Sequence, residues 1–173
     1  MRAIQQIIYI TVITGLFVIS AASQTSIKPG YAAPVFAASA LDGSYFDLAQ
    51  LDDKVVVLTF WSTKCAICRS EIPKLNGFTT RYDSEKVVFL ALTMENESRL
   101  DPFLKANPFK FHILPNSFGV VLQYADRDKA GNIDMGFPAY FVIDKHGSVA
   151  YRGSGWAKTN ELEARISKLI ANN

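Results

Sequence analysis

The sequence predicts an α/β domain with a central mixed β-sheet flanked by helices and an added N-terminal β-hairpin. Two apolar runs, at residues 55–61 with Thr59 as the one polar member and at residues 87–92, are typical of strands that are buried on both faces of a sheet. A helical segment separates these runs, and the chain closes with a strand pair and an amphipathic helix. This alternation of strands and helices predicts helices on both faces of one sheet.

Length and composition define the class of protein. The 173 residues suit one domain with a short N-terminal extension, and 49% apolar against 20% charged residues predicts a globular core. The net charge of +2 is close to balance, whereas a nucleic-acid binder needs a basic face to meet phosphates. The composition therefore predicts no nucleic-acid partner.

The N-terminal segment has the pattern of an export signal. Arg2 is followed by an uncharged, mostly apolar stretch, and small residues lie at 20–23. A membrane span needs about 20 apolar residues, so an uncleaved anchor is the alternative to cleavage near Ala22 or Ser23. We predict a signal peptide or N-terminal membrane anchor at residues 1–24. The domain at residues 25–173 would then lie outside the cytoplasm, in the periplasm or cell envelope.

Turn and cap residues predict the elements in order. Asp42-Gly43 indicates a hairpin between residues 35–41 and 45–48, and a helix containing Pro73 follows from Cys65 to about Tyr82. Further along, the sequence predicts a helix capped by Ser98 or Asp101 and ending near residue 106. A strand at 111–114, a helix at 118–124 and a loop at 126–136 follow. The chain ends with strands at 139–143 and 149–152 and a final helix with an Asn160–Glu163 capping box.

The chain has two cysteines, and they form the motif Cys65-Ala66-Ile67-Cys68. They are too close in sequence to join distant segments, and a static disulfide here would close a very small loop. A zinc site normally needs four ligands, but there is no second cysteine pair, and His112 and His146 are isolated in the sequence. We therefore predict neither a metal nor a separate cofactor.

The position of the cysteine pair favours redox chemistry. It follows a buried strand and opens a helix, whose N-terminus carries free N–H groups and partial positive charge that favour a thiolate. Cys65 would be the exposed nucleophile, and Cys68, one turn deeper, would resolve the mixed disulfide. Lys64 either adds a positive charge beside the sulfur or is simply solvated at the rim.

Residues 60–73, with the sequence FWSTKCAICRSEIP, resemble the active-site segment of the TlpA/ResA-like thiol–disulfide oxidoreductases of the thioredoxin superfamily. The likeness runs from about Pro29 to the C-terminus and includes Phe137-Pro138 and the turn at residues 144–147. It implies a thioredoxin-like fold and an exported oxidoreductase with the redox-active disulfide Cys65–Cys68.

The resemblance also implies roles for particular residues. It makes Pro138 a cis-proline beside the cysteines, with Phe137 offering backbone hydrogen bonds to a substrate chain; otherwise Pro138 would simply begin a strand. Glu71 would influence the ionisation of the thiols and transfer protons, or be a carboxylate that interacts with the helix dipole or simply lies at the surface. The predicted catalytic residues are Cys65, Cys68 and Glu71, and the predicted substrate-binding residues are Phe137, Pro138, Trp61 and Lys64.

Three positions depart from the related proteins. Thr59 stands where thioredoxin has a buried Asp, six residues before the first cysteine, so Glu71 gains importance as a proton acceptor. Lys64 replaces the Trp that usually precedes the first cysteine, and Phe137 stands where Thr is common.

The favoured function is reduction of disulfides in exported client proteins, including apocytochromes c, with recharging by a membrane electron donor. An oxidase or isomerase would use the same residues with a membrane electron acceptor, and relative thiolate stability decides between them. A peroxiredoxin-like peroxidase is less favoured because residues 37–64 lack the upstream proline of those enzymes. A binding module with incidental cysteines is the non-enzymatic alternative. The client, the redox partner and the oligomeric state stay open.

Overall fold

The computed structural model describes residues 26–171, so the predicted signal or anchor at residues 1–24 lies outside the described part of the chain. Within residues 26–171, the strands are Ala37–Ser39 (β1), Tyr45–Asp47 (β2), Val55–Phe60 (β3), Val87–Leu92 (β4), His112–Leu114 (β5), Asp126–Arg127 (β6), Ile133–Asp134 (β7), Ala139–Ile143 (β8) and Val149–Ser154 (β9). The helices in the same range are Ala66–Arg81 (α1), Glu97–Ala106 (α2), Phe118–Tyr124 (α3) and Thr159–Ala171 (α4). No helix of this part is long and apolar enough to span a bilayer.

Five strands form the central sheet in the order β5-β4-β3-β8-β9. β3, β4 and β5 are parallel, whereas β8 pairs antiparallel with both β3 and β9. The predicted mixed sheet is confirmed. β1 and β2 pair separately as the predicted N-terminal hairpin, and Gly43 takes φ +85° in its turn, a left-handed conformation that favours glycine.

Side chains of β3 alternate between two hydrophobic clusters, one on each face of the sheet. Val56, Leu58 and Phe60 join the cluster that contains residues of α3 and of the N-terminal segment. Val55 and Val57 join the cluster that contains residues of α1, α2 and α4. Both faces are therefore covered, which explains why this strand reads as one continuous apolar run.

Residues 126–136 were predicted to be a loop, and that prediction is wrong for two short stretches. β6 and β7 pair antiparallel, and Asp128 stabilises the turn between them. Its Oδ1 accepts hydrogen bonds from the backbone N–H groups of Ala130 and Asn132, each at 2.8 Å. The local turn chemistry of one aspartate thus converts a polar segment into a small hairpin.

Two predicted helix caps are also wrong. Helix α2 begins at Glu97, and its N-cap is Asn96, whose side chain accepts from the N–H of Arg99, rather than Ser98 or Asp101. Helix α4 begins at Thr159, so Asn160 lies inside the helix and cannot form a capping box with Glu163. The Asn160 side chain instead accepts a hydrogen bond from Lys74 Nζ of α1.

Candidate active site

The cysteine pair lies at the N-terminus of α1, directly after the buried strand β3. Cys65 is the N-cap of the helix, and Cys68 is one turn inside it, with a Cα–Cα distance of 5.2 Å across the disulfide that joins them. Cys65 is half-buried, whereas Cys68 is only 3% exposed. Cys65 is therefore the more accessible residue of the pair, and its role as the nucleophile stays a prediction.

Backbone geometry favours negative charge on the Cys65 sulfur. The N–H of Cys68 donates a hydrogen bond to Cys65 Sγ, with a donor–acceptor distance of 3.0 Å. In the reduced protein the same donor, together with the N-terminal end of the helix dipole, would stabilise a Cys65 thiolate. Cys68 lies inside the helix and not at its N-cap, so this stabilisation applies to the Cys65 sulfur.

Glu95 holds the segment that leads into Cys65, and sequence reasoning missed it. Its Oε2 accepts the backbone N–H of Thr63 at 2.8 Å, and its Oε1 accepts the Thr63 hydroxyl at 2.7 Å. The Ser62 hydroxyl also donates to Oε1, at 3.4 Å. The position of Glu95 in the sequence could have indicated this role. Glu95 follows β4, and β4 is parallel to β3, so the carboxyl ends of both strands lie at the same edge of the sheet.

The Phe137–Pro138 peptide bond is cis, as the resemblance implies. Pro138 is buried and directly precedes β8, whose first residue, Ala139, is the register partner of Phe60 at the end of β3. The cis-proline therefore lies at the sheet edge from which the Cys65 segment emerges. Phe137 is half-buried and packs against both hydrophobic clusters.

The other predicted substrate-binding residues occupy contrasting positions. Lys64 is exposed at the rim beside Cys65. Trp61 is only 1% exposed, and its ring lies 5.4 Å from Phe103 and 5.5 Å from Phe109, centroid to centroid. The predicted contact of Trp61 with a client stays a prediction, but in this structure its side chain supports the active-site segment from beneath.

Glu71 is a buried carboxyl group one helical turn beyond Cys68. Only 7% of the residue is exposed, so the alternative of a surface carboxylate is wrong. Residues three positions apart lie on the same side of a helix, which places Glu71 and Cys68 together on the buried face of α1. The structure thus brings a titratable group beneath the redox pair.

Two exposed apolar side chains flank the site, and neither was singled out from the sequence. Trp156 is 63% exposed, and the preceding Gly155 donates its N–H to the carbonyl oxygen of Pro138 at 2.8 Å. Ala157 follows with φ +61°, a strained conformation for a residue with a Cβ. On the other side, Met94 is 43% exposed and precedes Glu95.

The two histidines take no part in this arrangement. His112 lies on the edge strand β5, where its Nδ1 is 2.6 Å from Asp42 Oδ2, and His146 lies in the turn between β8 and β9. Within residues 26–171 no group of three or more His, Cys, Asp or Glu side chains is placed to hold a metal ion.

A thioredoxin-like sheet that carries a cysteine pair at a helix N-terminus, opposite a cis-proline, defines a thiol–disulfide oxidoreductase. The Redoxin family description matches residues 28–168, and the chain belongs to this family.

Individual relatives agree with this assignment. The chain is similar to a thiol-disulfide oxidoreductase ResA of Bacillus cereus, with 29% identity over 150 residues, covering 86% of this chain and 82% of the relative. It is 26% identical over 121 residues to the thiol-disulfide oxidoreductase YkuV of Bacillus subtilis, covering 70% of this chain and 80% of that relative. These matches confirm the predicted resemblance to the ResA-like oxidoreductases.

A solved structure agrees as well. A Chlorobium tepidum protein assigned as a thiol:disulfide interchange protein DsbE superposes with a TM-score of 0.71 at 25% identity. The match covers 84% of this chain and 99% of that one. The predicted thioredoxin-like fold is confirmed.

Proposed function

We propose that this oxidoreductase is an exported reductant that breaks disulfides in client proteins. The Cys65 thiolate attacks one sulfur of the client disulfide, forms a mixed disulfide and releases the first client thiolate. Cys68 then loses its proton, attacks Cys65 Sγ and expels the second client thiolate. Two electrons pass to the client, the Cys65–Cys68 disulfide forms, and no separate cofactor takes part.

The observation that carries the reducing direction is the pattern of charge around the pair. The carboxyl group of Glu71 is buried beneath the cysteines, and that of Glu95, 13% exposed, binds the segment two residues before Cys65. The nearby cations Lys64, Arg69 and Arg99 are all exposed, and the Arg99 Nε lies 3.9 Å from Glu95 Oε1. Water and salt therefore screen these cations more strongly than the carboxylates. Negative charge nearby makes thiolates less stable, which favours the disulfide form of this protein and hence a reductant.

The geometry also supports a docking path for the client. An extended client segment would pair with the backbone of Phe137 beside the cis-proline Pro138, with its sulfur above Cys65. Lys64 at the rim and Trp156, tied to Pro138 through Gly155, would contact the flanking client side chains. Trp61 would contribute by holding the segment from within the core.

The proposal includes location and partners. The uncharged apolar stretch after Arg2 supports export through a signal peptide, or retention by an N-terminal anchor. A membrane electron donor would then re-reduce the Cys65–Cys68 disulfide. Exported proteins with cysteine pairs, apocytochromes c among them, are the proposed clients.

Equilibration of the full chain with glutathione buffers tests the direction. A reduction potential near thioredoxin's, about −270 mV, is expected, whereas a value near that of DsbA, about −120 mV, would make the protein an oxidant. Cys65→Ser should abolish reduction of a disulfide-bonded client, and unchanged reduction would contradict the assignment of the pair. Cys68→Ser should trap clients as mixed disulfides in cell envelopes.

A further inference from the structure

Three buried polar side chains on the α1 side of the sheet each have an oxygen atom without a hydrogen-bond partner in residues 26–171: Thr59, Glu71 and Tyr140. They are 1%, 7% and 0% exposed, respectively. Within the described part of the chain, Thr59 Oγ1, Glu71 Oε2 and Tyr140 Oη have no hydrogen-bond partner. Burying such groups unpaired is costly, and a cluster of them in a native core calls for a specific explanation. We call these three residues the buried polar pocket.

Strand register places two members of the pocket side by side. Thr59 of β3 and Tyr140 of β8 are directly paired across the antiparallel ladder, so their side chains leave the same face of the sheet. Tyr140 belongs to the hydrophobic cluster that also contains Cys68 and Ile72 of α1. The pocket therefore lies between the sheet and the helix that carries the cysteines, and Glu71 enters it from that helix.

Tyr140 is a hydrogen-bond donor throughout the working pH range. Burial, followed by the charges of Glu71 and Tyr151, raises the pKa of the Tyr140 hydroxyl, so it stays protonated. The negative charge of Glu71 contributes to this rise in pKa, in agreement with the placement of both residues between the sheet and α1. Neither Glu71 Oε2 nor Tyr140 Oη has a hydrogen-bond partner among the described residues. Buried polar groups of this kind are commonly joined by a bound water.

The pocket continues toward the surface along β9. Gly153 is the register partner of Tyr140, and the Tyr151 hydroxyl occupies the space where a Cβ on Gly153 would lie. Tyr151 Oη donates to Glu161 Oε2 of α4 at 3.2 Å, and Glu161 is exposed and also bonded by Lys158. The titratable and charged groups around Tyr140 are thus Glu71, Tyr151 and, beyond Tyr151, the charges of Glu161, Lys158 and Arg165.

We propose that Tyr140 and Thr59 bind a water that holds the Glu71 carboxylate in position to accept the Cys68 proton. This inference rests on the proposed function and concerns its second step. When Cys68 attacks the mixed disulfide, its proton passes to Glu71, and the Cys68 sulfur forms the bond to Cys65 Sγ as the client thiolate leaves. The proton then leaves Glu71 through the pocket toward Tyr151 and Glu161. Tyr140 is a positioning residue, since it acts through Glu71.

The aromatic disulfide DTNB separates the two steps in one stopped-flow experiment on the reduced full chain. Attack by Cys65 releases one thionitrobenzoate, and resolution by Cys68 releases a second. In Tyr140→Phe the second release should slow about tenfold at pH 7, which corresponds to the loss of one hydrogen bond to the water that holds Glu71. It should recover near pH 9, where a thiol ionises without a base. The rate of the first release should be unchanged in Tyr140→Phe. It should also be unchanged when Tyr140→Phe is added to Cys68→Ser.

Tyr124→Phe is the matched control. Tyr124 is also fully buried, but its hydroxyl donates to Pro34 O at 2.7 Å on the other face of the sheet. Its loss should lower stability and leave both release rates unchanged. Thr59→Val, which keeps the shape and removes the hydroxyl, should slow the second release in the same direction as Tyr140→Phe.

Two results would overturn the inference. One is a second release in Tyr140→Phe that matches the unmodified chain from pH 5 to pH 9. The other is equal slowing of both releases, which would indicate a general structural role for Tyr140. A high reduction potential would overturn the reductant assignment alone, because both release rates and their dependence on Tyr140 would still be measurable.

Discussion

Replacing Glu95 by alanine removes the carboxylate that holds the segment preceding Cys65. The Thr63 N–H and hydroxyl, which donate to it at 2.8 and 2.7 Å, would lose their acceptor in a site where Glu95 is 13% exposed. A partly buried hydrogen bond to a charged group contributes about 1.5–3 kcal/mol, and bonds that share one acceptor do not simply add. We therefore expect the free energy of unfolding to fall by about 2–3 kcal/mol.

Denaturant unfolding followed by tryptophan fluorescence, which changes as the buried Trp61 becomes exposed, measures this loss. For a domain of this length, the expected change corresponds to a fall in Tm of about 5–10 °C. Glu85→Ala is the control, because Glu85 is an exposed carboxylate 3.5 Å from Lys54, with a side chain 84% exposed. Exposed ion pairs contribute about 0–1 kcal/mol, so the control should change little.

The same substitution tests the proposed effect of charge on the cysteines. Without the Glu95 carboxylate a Cys65 thiolate is more stable, so the reduction potential of Glu95→Ala should rise. An unfolding free energy within about 0.5 kcal/mol of the unmodified chain would refute the structural reasoning. A potential that stays constant or falls would refute the electrostatic reasoning.

Three further changes have defined outcomes. Trp156→Ala should raise KM for a protein disulfide while leaving the rate with DTNB unchanged, because a protein client can bury the exposed indole whereas the small reagent needs contact only with Cys65. Burial raises the pKa of Asp126, but the hydrogen bonds and charge of Arg152 outweigh it and hold the pKa below its usual value. Asp126→Asn should therefore be less stable at pH 7, with the deficit shrinking as pH falls below about 4, as denaturation at several pH values would show. Gly153→Ala should lower the free energy of unfolding by about 1–3 kcal/mol, because the added Cβ would lie 2.8 Å from Tyr151 Cζ.

Matched variants sharpen these comparisons. Trp156→Phe keeps an aromatic surface and should retain most of the client affinity. Gly119→Ala adds a methyl group to α3 with no heavy atom within 4 Å, so it should stabilise the protein by up to about 1 kcal/mol. Equal effects of alanine at Gly119 and Gly153 would contradict the assigned crowding. A pH-independent deficit in Asp126→Asn would contradict the assigned ion pair.

Most of the fold follows from local patterns that the sequence shows directly. The strands at Val55–Phe60 and Val87–Leu92 are apolar runs because both of their faces are covered. Predictions from turn and cap residues were wrong where a different side chain made the hydrogen bond to the backbone. Asp128 closes a hairpin inside the predicted loop, and Asn96 caps α2 in place of Ser98 or Asp101.

The sequence by itself determined the redox pair, since two cysteines at the start of a helix after a buried strand allow few other chemistries. It also indicated Pro138 and Glu71 through resemblance. Only the tertiary structure decided which distant groups surround the pair: Glu95 from the end of β4, Trp156 through Gly155 and Pro138, and Tyr140 from β8. The physical reason is that such contacts arise from strand register and helix packing, which join residues far apart in the chain.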